Sequence, residues 1–150
     1  MNSFLNAAPA TLAPTSLRTH PEAAAHCDAA LMWFMSHVTG VTAALVATTD
    51  GFEIAAIRNQ GFSLEKMSAM SSSMLALGGA VLREAQFANE CQNVVIDGGK
   101  GLVVMLAVGE QRKELLLAVA ADNSAMLGQV LWASRSCCDR IRQSINTLYP

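Results

Sequence analysis

The strongest constraint in this chain is a long helical segment with no charge in its middle. Residues 63–86 read SLEKMSAMSSSMLALGGAVLREAQ, with Ser63 placed as an N-cap and Glu65 in the first turn. Between Lys66 and Arg83 no side chain is ionisable. An ordinary surface helix fills its outer face with Lys and Glu, so this one is expected to be covered on more than one side. The run is shorter than the roughly 20 apolar residues that a bilayer requires and is rich in serine, so it does not read as a membrane span.

On a wheel of roughly 100° per residue, Leu64, Met67, Ser71, Met74, Leu75, Gly78, Val81, Leu82 and Ala85 gather on one side, expected to meet a sheet. The opposite side carries Ala69, Ser72, Ser73, Ala76, Gly79 and Ala80. Two glycines inside a helix cost about 1 kcal/mol each relative to alanine. Close backbone approach would compensate, and a two-fold axis lets one helix meet its own copy. The competing reading is that Gly78 fits under a bulky core residue while the serines face water.

Around this helix the hydrophobic period changes several times. Residues 22–38, EAAAHCDAALMWFMSHV, are rich in helix formers, with Ala30, Trp33, Phe34, His37 and Val38 at helical spacing, and Gly40 ends the element. VTAALVATT and FEIAAIR read as strands around a hairpin turn at Asp50 and Gly51. After the long helix, CQNVVID, GLVVMLAVG and KELLLAVAA read as three consecutive antiparallel strands, joined by DGGK and by a turn at 110–112. Asn123 or Ser124 is positioned to cap a last helix whose apolar stripe is Leu127, Val130, Leu131, Ser134, Cys138, Ile141, Ile145 and Leu148.

LVVMLAV and LLLAVAA do not alternate, so both faces of their sheet need cover. The expectation is an α/β (α+β) fold in the order α-β-β-α-β-β-β-α, a five-stranded, mainly antiparallel sheet with helices on both faces. At 150 residues and 52% hydrophobic the chain supports one core, so residues 21–150 form one domain. Residues 1–20, with Pro9 and Pro14 and few large apolar groups, are expected to be a flexible tail and not an export signal. Net charge is -2 and the basic residues are scattered, which argues against nucleic acid as a partner. Four cysteines without a CxxC pair read as free thiols in a reducing cytoplasm, the adjacent Cys137 and Cys138 pointing in different directions.

No catalytic constellation emerges. The three histidines cluster in or before the first helix without metal-ligand spacing, no nucleophile elbow or phosphate loop is present, and DGGKG reads as a hairpin turn. No cofactor, metal or small-molecule substrate is expected. Arg58, Arg83, Arg112, Arg135 and Arg142 are basic groups available to a partner surface.

The quoted strand and helix segments together resemble the roadblock (dynein light chain) family over residues 25–146, especially its bacterial branch, which includes the gliding-motility GTPase-activating protein. The most specific pieces are Gly40 and Val41 entering the first strand, the Asp50 and Gly51 turn, and Asn123 followed by Leu127 and Gly128. The resemblance implies a homodimer with the long helices side by side and the third strands meeting across the two-fold axis. Arg83, Asn93 and Val95 would then join Ala69, Ser72, Ser73, Ala76, Gly79 and Ala80 at the interface. It also implies a small Ras-like GTPase as partner of a protein that is not itself an enzyme; Arg58, Arg83 and Glu84 are the residues expected to contact such a partner. A non-GTPase assembly adaptor is the alternative, and a small-molecule sensor a third, lacking any visible pocket of convergent polar groups.

Overall fold

A computed structural model describes residues 21–58, 61–109 and 114–148. In chain order they form α1 (Pro21–His37), β1 (Val41–Thr48), β2 (Glu53–Arg58), α2 (Leu64–Glu84), β3 (Asn93–Asp97), β4 (Gly101–Ala107), β5 (Leu115–Asp122) and α3 (Leu127–Leu148). The expected tail, Arg112 and the turn at 110–112 lie outside the described residues. The strands make one sheet in the order β2-β1-β5-β4-β3, and every neighbouring pair is antiparallel.

Strand alternation explains why the central strands carry apolar residues at every position. Val46 of β1, Val104 and Leu106 of β4, and Leu115, Leu117 and Val119 of β5 face one way, where they pack with Leu31 and Phe34 of α1 and Val130, Ile141 and Ile145 of α3. Leu45, Ala47, Met105, Leu116 and Ala118 face the other way, toward Met67, Met74 and Leu75 of α2. One face therefore has two helices and the other has one. The helix on the sparsely covered face is the uncharged one.

Ser63 starts α2 as expected, its hydroxyl accepting a hydrogen bond from the Lys66 N–H at 3.3 Å. DGGKG is a β3–β4 hairpin turn, closed by Gly98 N–H donating to Gly101 O at 2.8 Å and Gly99 N–H to the Asp97 carboxylate at 3.0 Å. At the β1–β2 turn Thr48 donates to Asp50 through its hydroxyl, and Gly51 adopts a φ of +94°.

Three sequence expectations need correction. Asn123 and Ser124 do not cap α3, which begins only at Leu127. They lie in a turn organised by Asp122, whose carboxylate accepts from the Ser124 N–H at 2.8 Å and from its hydroxyl; these bonds hold the carboxyl below its usual range. The expected stripe of α3 omits Ala133 and Cys137, which are buried together with Cys138 because α3 packs on α1 as well as on the sheet. Cys137 Sγ reaches the Ala30 carbonyl at 3.5 Å, and burial pushes the Cys27 and Cys137 thiols up to about 12. In α1 the buried set is Ala23, Cys27, Ala30, Leu31 and Phe34, while Trp33 is half-buried and His37 exposed.

The turn at Asp122 also gives a physical reason for Gly40. Gly40 has φ +89°, its carbonyl accepts from Asp122 N–H at 2.8 Å, and a Cβ there would lie 2.6 Å from Ser124 Oγ, 2.7 Å from Ala125 N and 2.9 Å from Asp122 Oδ1. Two sequence signals far apart in the chain thus meet at one junction. Gly40→Ala combines positive-φ strain with overpacking against backbone and is expected to destabilise the fold by about 2–4 kcal/mol, read as a shift in a urea unfolding midpoint.

Candidate functional site

The outer surface of α2 differs from the one expected from the wheel. Met70, Leu77 and Val81 are 51%, 58% and 60% exposed, and their spacing of seven and four residues puts them in one stripe. Val81 was expected to face the sheet. Ser68, Ser71 and Gly79 are the residues of α2 buried against the rest of the chain. The small side chains of Ser68 and Ser71 let the helix lie close to the sheet, and both hydroxyls are buried without a hydrogen-bond partner.

The small residues expected to form an outward seam divide into two groups. Ala69, Ser73, Ala76 and Ala80 are exposed, and Ser73 returns its hydroxyl hydrogen to the Ala69 carbonyl at 3.1 Å. Others are engaged by their own chain. Ser72 donates to the Thr49 carbonyl in the β1–β2 turn, and a Cβ on Gly51 in that turn would lie 3.3 Å from Ala69 Cα. Gly79 lies under the 89–91 segment, near Asn89 O and Cys91 N. Gly78 has a nearer neighbour: a Cβ there would sit 2.7 Å from Cys91 Sγ and 3.3 Å from Val94 Cγ2. The glycine pair thus admits the chain's own return into β3, as the competing reading of the sequence had it for Gly78.

Among the described residues that return makes β3 an edge strand with β4 as its single neighbour. Val94 packs toward α2, so by alternation Ile96 is on the α2 side of the sheet while Asn93 and Val95 are on the other. Val95 is 38% and Ile96 41% exposed. An apolar edge without charge or proline in its centre is an open invitation to another strand. The stripe of α2 and the edge of β3 are therefore two uncovered surfaces brought together by the packing of Gly78 on Cys91 and Val94.

Helix α2 ends in a paired-bond cap. Gln86 N–H donates to Arg83 O at 3.1 Å and Phe87 N–H to Leu82 O at 3.0 Å, with Gln86 at φ +62° in a position that usually selects glycine. In this motif the residue after the left-handed one normally packs back on the helix. Here Phe87 is 83% exposed. Arg83 is tied by its guanidinium to Asn89 O at 2.8 Å, and Glu84 is exposed beside it. Arg58 donates to Phe62 O at 2.7 Å near the other end of α2. The helix is about 30 Å long, so Arg58 is not part of one cluster with Arg83 and Glu84 in a single copy.

A cleft of about 910 Å³ runs between α2, the segment at 88–93, the end of β4 and the middle of α3, with Arg83, Cys91 and Arg135 among its walls. Among the described residues no group of His, Cys, Asp or Glu is arranged to hold a metal ion, and no helix is long and apolar enough to cross a membrane.

The Roadblock/LC7 domain model matches residues 31–121, more than half of the chain, and the chain belongs to that family. Myxococcus xanthus MglB superposes with a TM-score of 0.77 at 18% identity, covering 87% of this chain and 96% of that one. The gliding protein MglB of Thermus thermophilus gives 0.75 at 16% identity, covering 85% and 94%. A Roadblock/LC7 domain from Streptomyces avermitilis gives 0.70 at 19% identity, covering 79% and 97%. No curated protein matches the chain by sequence.

The packing role of the glycine pair can be tested by a double substitution. Gly78→Ala is expected to destabilise the chain by about 1–3 kcal/mol through overpacking on Cys91, and Cys91→Ala in the same chain to recover much of that loss. A double-mutant cycle by chemical denaturation measures the coupling.

Proposed function

We propose that this protein is a homodimeric regulator or scaffold in the cytoplasm for a small Ras-like GTPase, joined to its copy through α2 and β3. The observation that carries the reading is the uncharged stripe of Met70, Leu77 and Val81 beside the open edge of β3. Magnitudes argue for using both surfaces. Completing the burial of three half-exposed side chains in each copy contributes about 1 kcal/mol per side chain, or about 6 kcal/mol for the pair. Association costs about 4–15 kcal/mol, so helix contact by itself makes a marginal dimer. Hydrogen bonding between two β3 edges supplies the remainder and satisfies their open backbone groups.

The likeness to MglB structures supports the bacterial branch of the family as the source of the functional analogy. Proteins of that branch are understood to act by remodelling the GTPase's own catalytic residues, so this reading assigns no catalytic residue to the present chain. Once α2 and β3 face a second copy, the groups left for the GTPase are at the end of α2. Phe87, Arg83 and Glu84 form that candidate contact, with Phe87 as the apolar anchor.

Leu77→Glu places a charge in the middle of the stripe and is expected to give a folded monomer by analytical ultracentrifugation with unchanged circular dichroism. A folded dimer of the wild-type size would place the seam elsewhere. For the partner, GTP hydrolysis by a small Ras-like GTPase from the same cell is expected to change when the dimer is added. Phe87→Ala should weaken that effect at least about tenfold while leaving the dimer intact. Absence of both a complex and a rate change would rule out the GTPase reading.

A further inference from the structure

The face of the sheet opposite α2 carries an aromatic seam that the proposed dimer does not use. It lies along the contact between α1 and α3. Trp33 of α1 and Trp132 of α3 have ring centroids 6.5 Å apart, and Trp132 is 61% exposed. His37, one turn beyond Trp33, stacks on its indole at 4.4 Å with an interplanar angle of 27°, and its Nδ1 lies 2.7 Å from the Trp33 carbonyl. The Arg140 guanidinium lies over the Trp33 ring, 4.1 Å from the centroid.

This arrangement exposes a large aromatic surface and orders a cation upon it. Folding alone gives little reason to leave Trp132 in water, since burying a side chain of that size would add stability. A cation held flat on an indole has already lost much of its rotamer freedom, so a partner does not have to order it. Among the described residues no carboxylate forms an ion pair with Arg140. The single acidic residue of α3, Asp139, is engaged by Arg142 at 2.8 Å. In-plane donors of a guanidinium are suited to a carboxylate, which they can bind in bidentate fashion. Tryptophan and arginine are also the side chains that most often anchor protein interfaces.

We propose that the Trp33–Trp132–Arg140 seam is a docking site for an amphipathic helix of another protein, whose apolar face covers Trp132 and whose carboxylate pairs with Arg140. Two helices lying side by side offer a shallow groove of the kind a third helix can occupy. Charge decides against a lipid surface. The seam offers one unpaired arginine in a chain of net charge -2, whereas peripheral binding to anionic lipid relies on several clustered cations. The site is on the other side of the sheet from the α2 stripe, so a dimer would present two such seams.

Trp33 and Trp132 are the two tryptophans of the chain, so tryptophan emission, excited at a wavelength where the one tyrosine does not absorb, reports on this seam alone. The full chain is titrated with a synthetic helix of about 18 residues, its leucines on one face and glutamates on the other, and with the matched leucine–lysine helix. The expected result is a saturable blue shift with the glutamate peptide and none with the lysine peptide. Arg140→Gln should weaken binding about tenfold or more, and Trp132→Ala should abolish it with circular dichroism unchanged. Equal response to both peptides, response to neither, or full affinity in Arg140→Gln would overturn the proposal. So would a shift produced by phosphatidylserine vesicles, or a Trp132-dependent change in oligomer size, which would assign the seam to a membrane or to a second copy.

Discussion

The whole architecture follows from strands that are apolar on both faces. Leu115, Leu116 and Leu117 in β5 cannot all point to one core, and all three are fully buried. Two separate hydrophobic layers must then be built, and the described residues supply three helices with which to build them. Placing α1 and α3 together completes one layer. The other layer rests on α2, which must approach the sheet closely to cover it. Ser68, Ser71 and the glycine pair make that approach possible, and the same small residues leave no room for charges along the inner side of the helix.

That uneven cover explains where uncovered apolar surface appears. A helix that packs alone on a sheet has exposed flanks, and the flank of α2 carries Met70, Leu77 and Val81 where solubility would favour Lys or Glu. The sheet has the same asymmetry at its edges. β2 has charged residues at both ends, Glu53 and Arg58, whereas β3 offers Val95 and Ile96. The two unprotected features occur at neighbouring places, so one partner surface could cover both. Membership in the Roadblock/LC7 family agrees with this architecture, while the low identity of the solved relatives leaves the choice of partner to the particular side chains.

The order of elements was legible because the hydrophobic period changes cleanly at each boundary and because Ser63, Gly51 and the DGGK turn have local chemistry that acts within a few residues. Facts that depend on distant neighbours were harder to read. A wheel could not locate the inward side of α2, since apolar and small residues occupy the whole circumference; Val81 and Gly79 exchanged roles as a result. The supposed capping residues of α3 belong instead to a turn organised by Asp122, which binds Ser124 through its carboxylate and donates its N–H to Gly40 O, more than eighty positions earlier. Cys137 fell outside the expected stripe because the second surface against which α3 packs, α1, is invisible in the pattern of α3 alone. Of the candidate site, Val95 was placed at an interface only by the family resemblance, and Phe87 was missed: an isolated aromatic in a turn carries no period, and only the left-handed cap at Gln86 reveals that it is held outward.

The contact of Gly78 with Cys91 and Val94 has a consequence for discrimination between related domains. Because Gly78 has no side chain of its own, the Cys91 and Val94 side chains rest directly against the helix backbone, and this close packing leaves the angle and spacing between α2 and β3 little freedom. A second chain joining both surfaces has to match a helix and a strand whose mutual geometry is already fixed. A homologue with a bulkier residue at this point would carry its helix further from its strand and would fit one surface only at the expense of the other. Close packing inside each copy can thus act as a filter against hybrid assemblies, even when the exposed side chains of two homologues are alike.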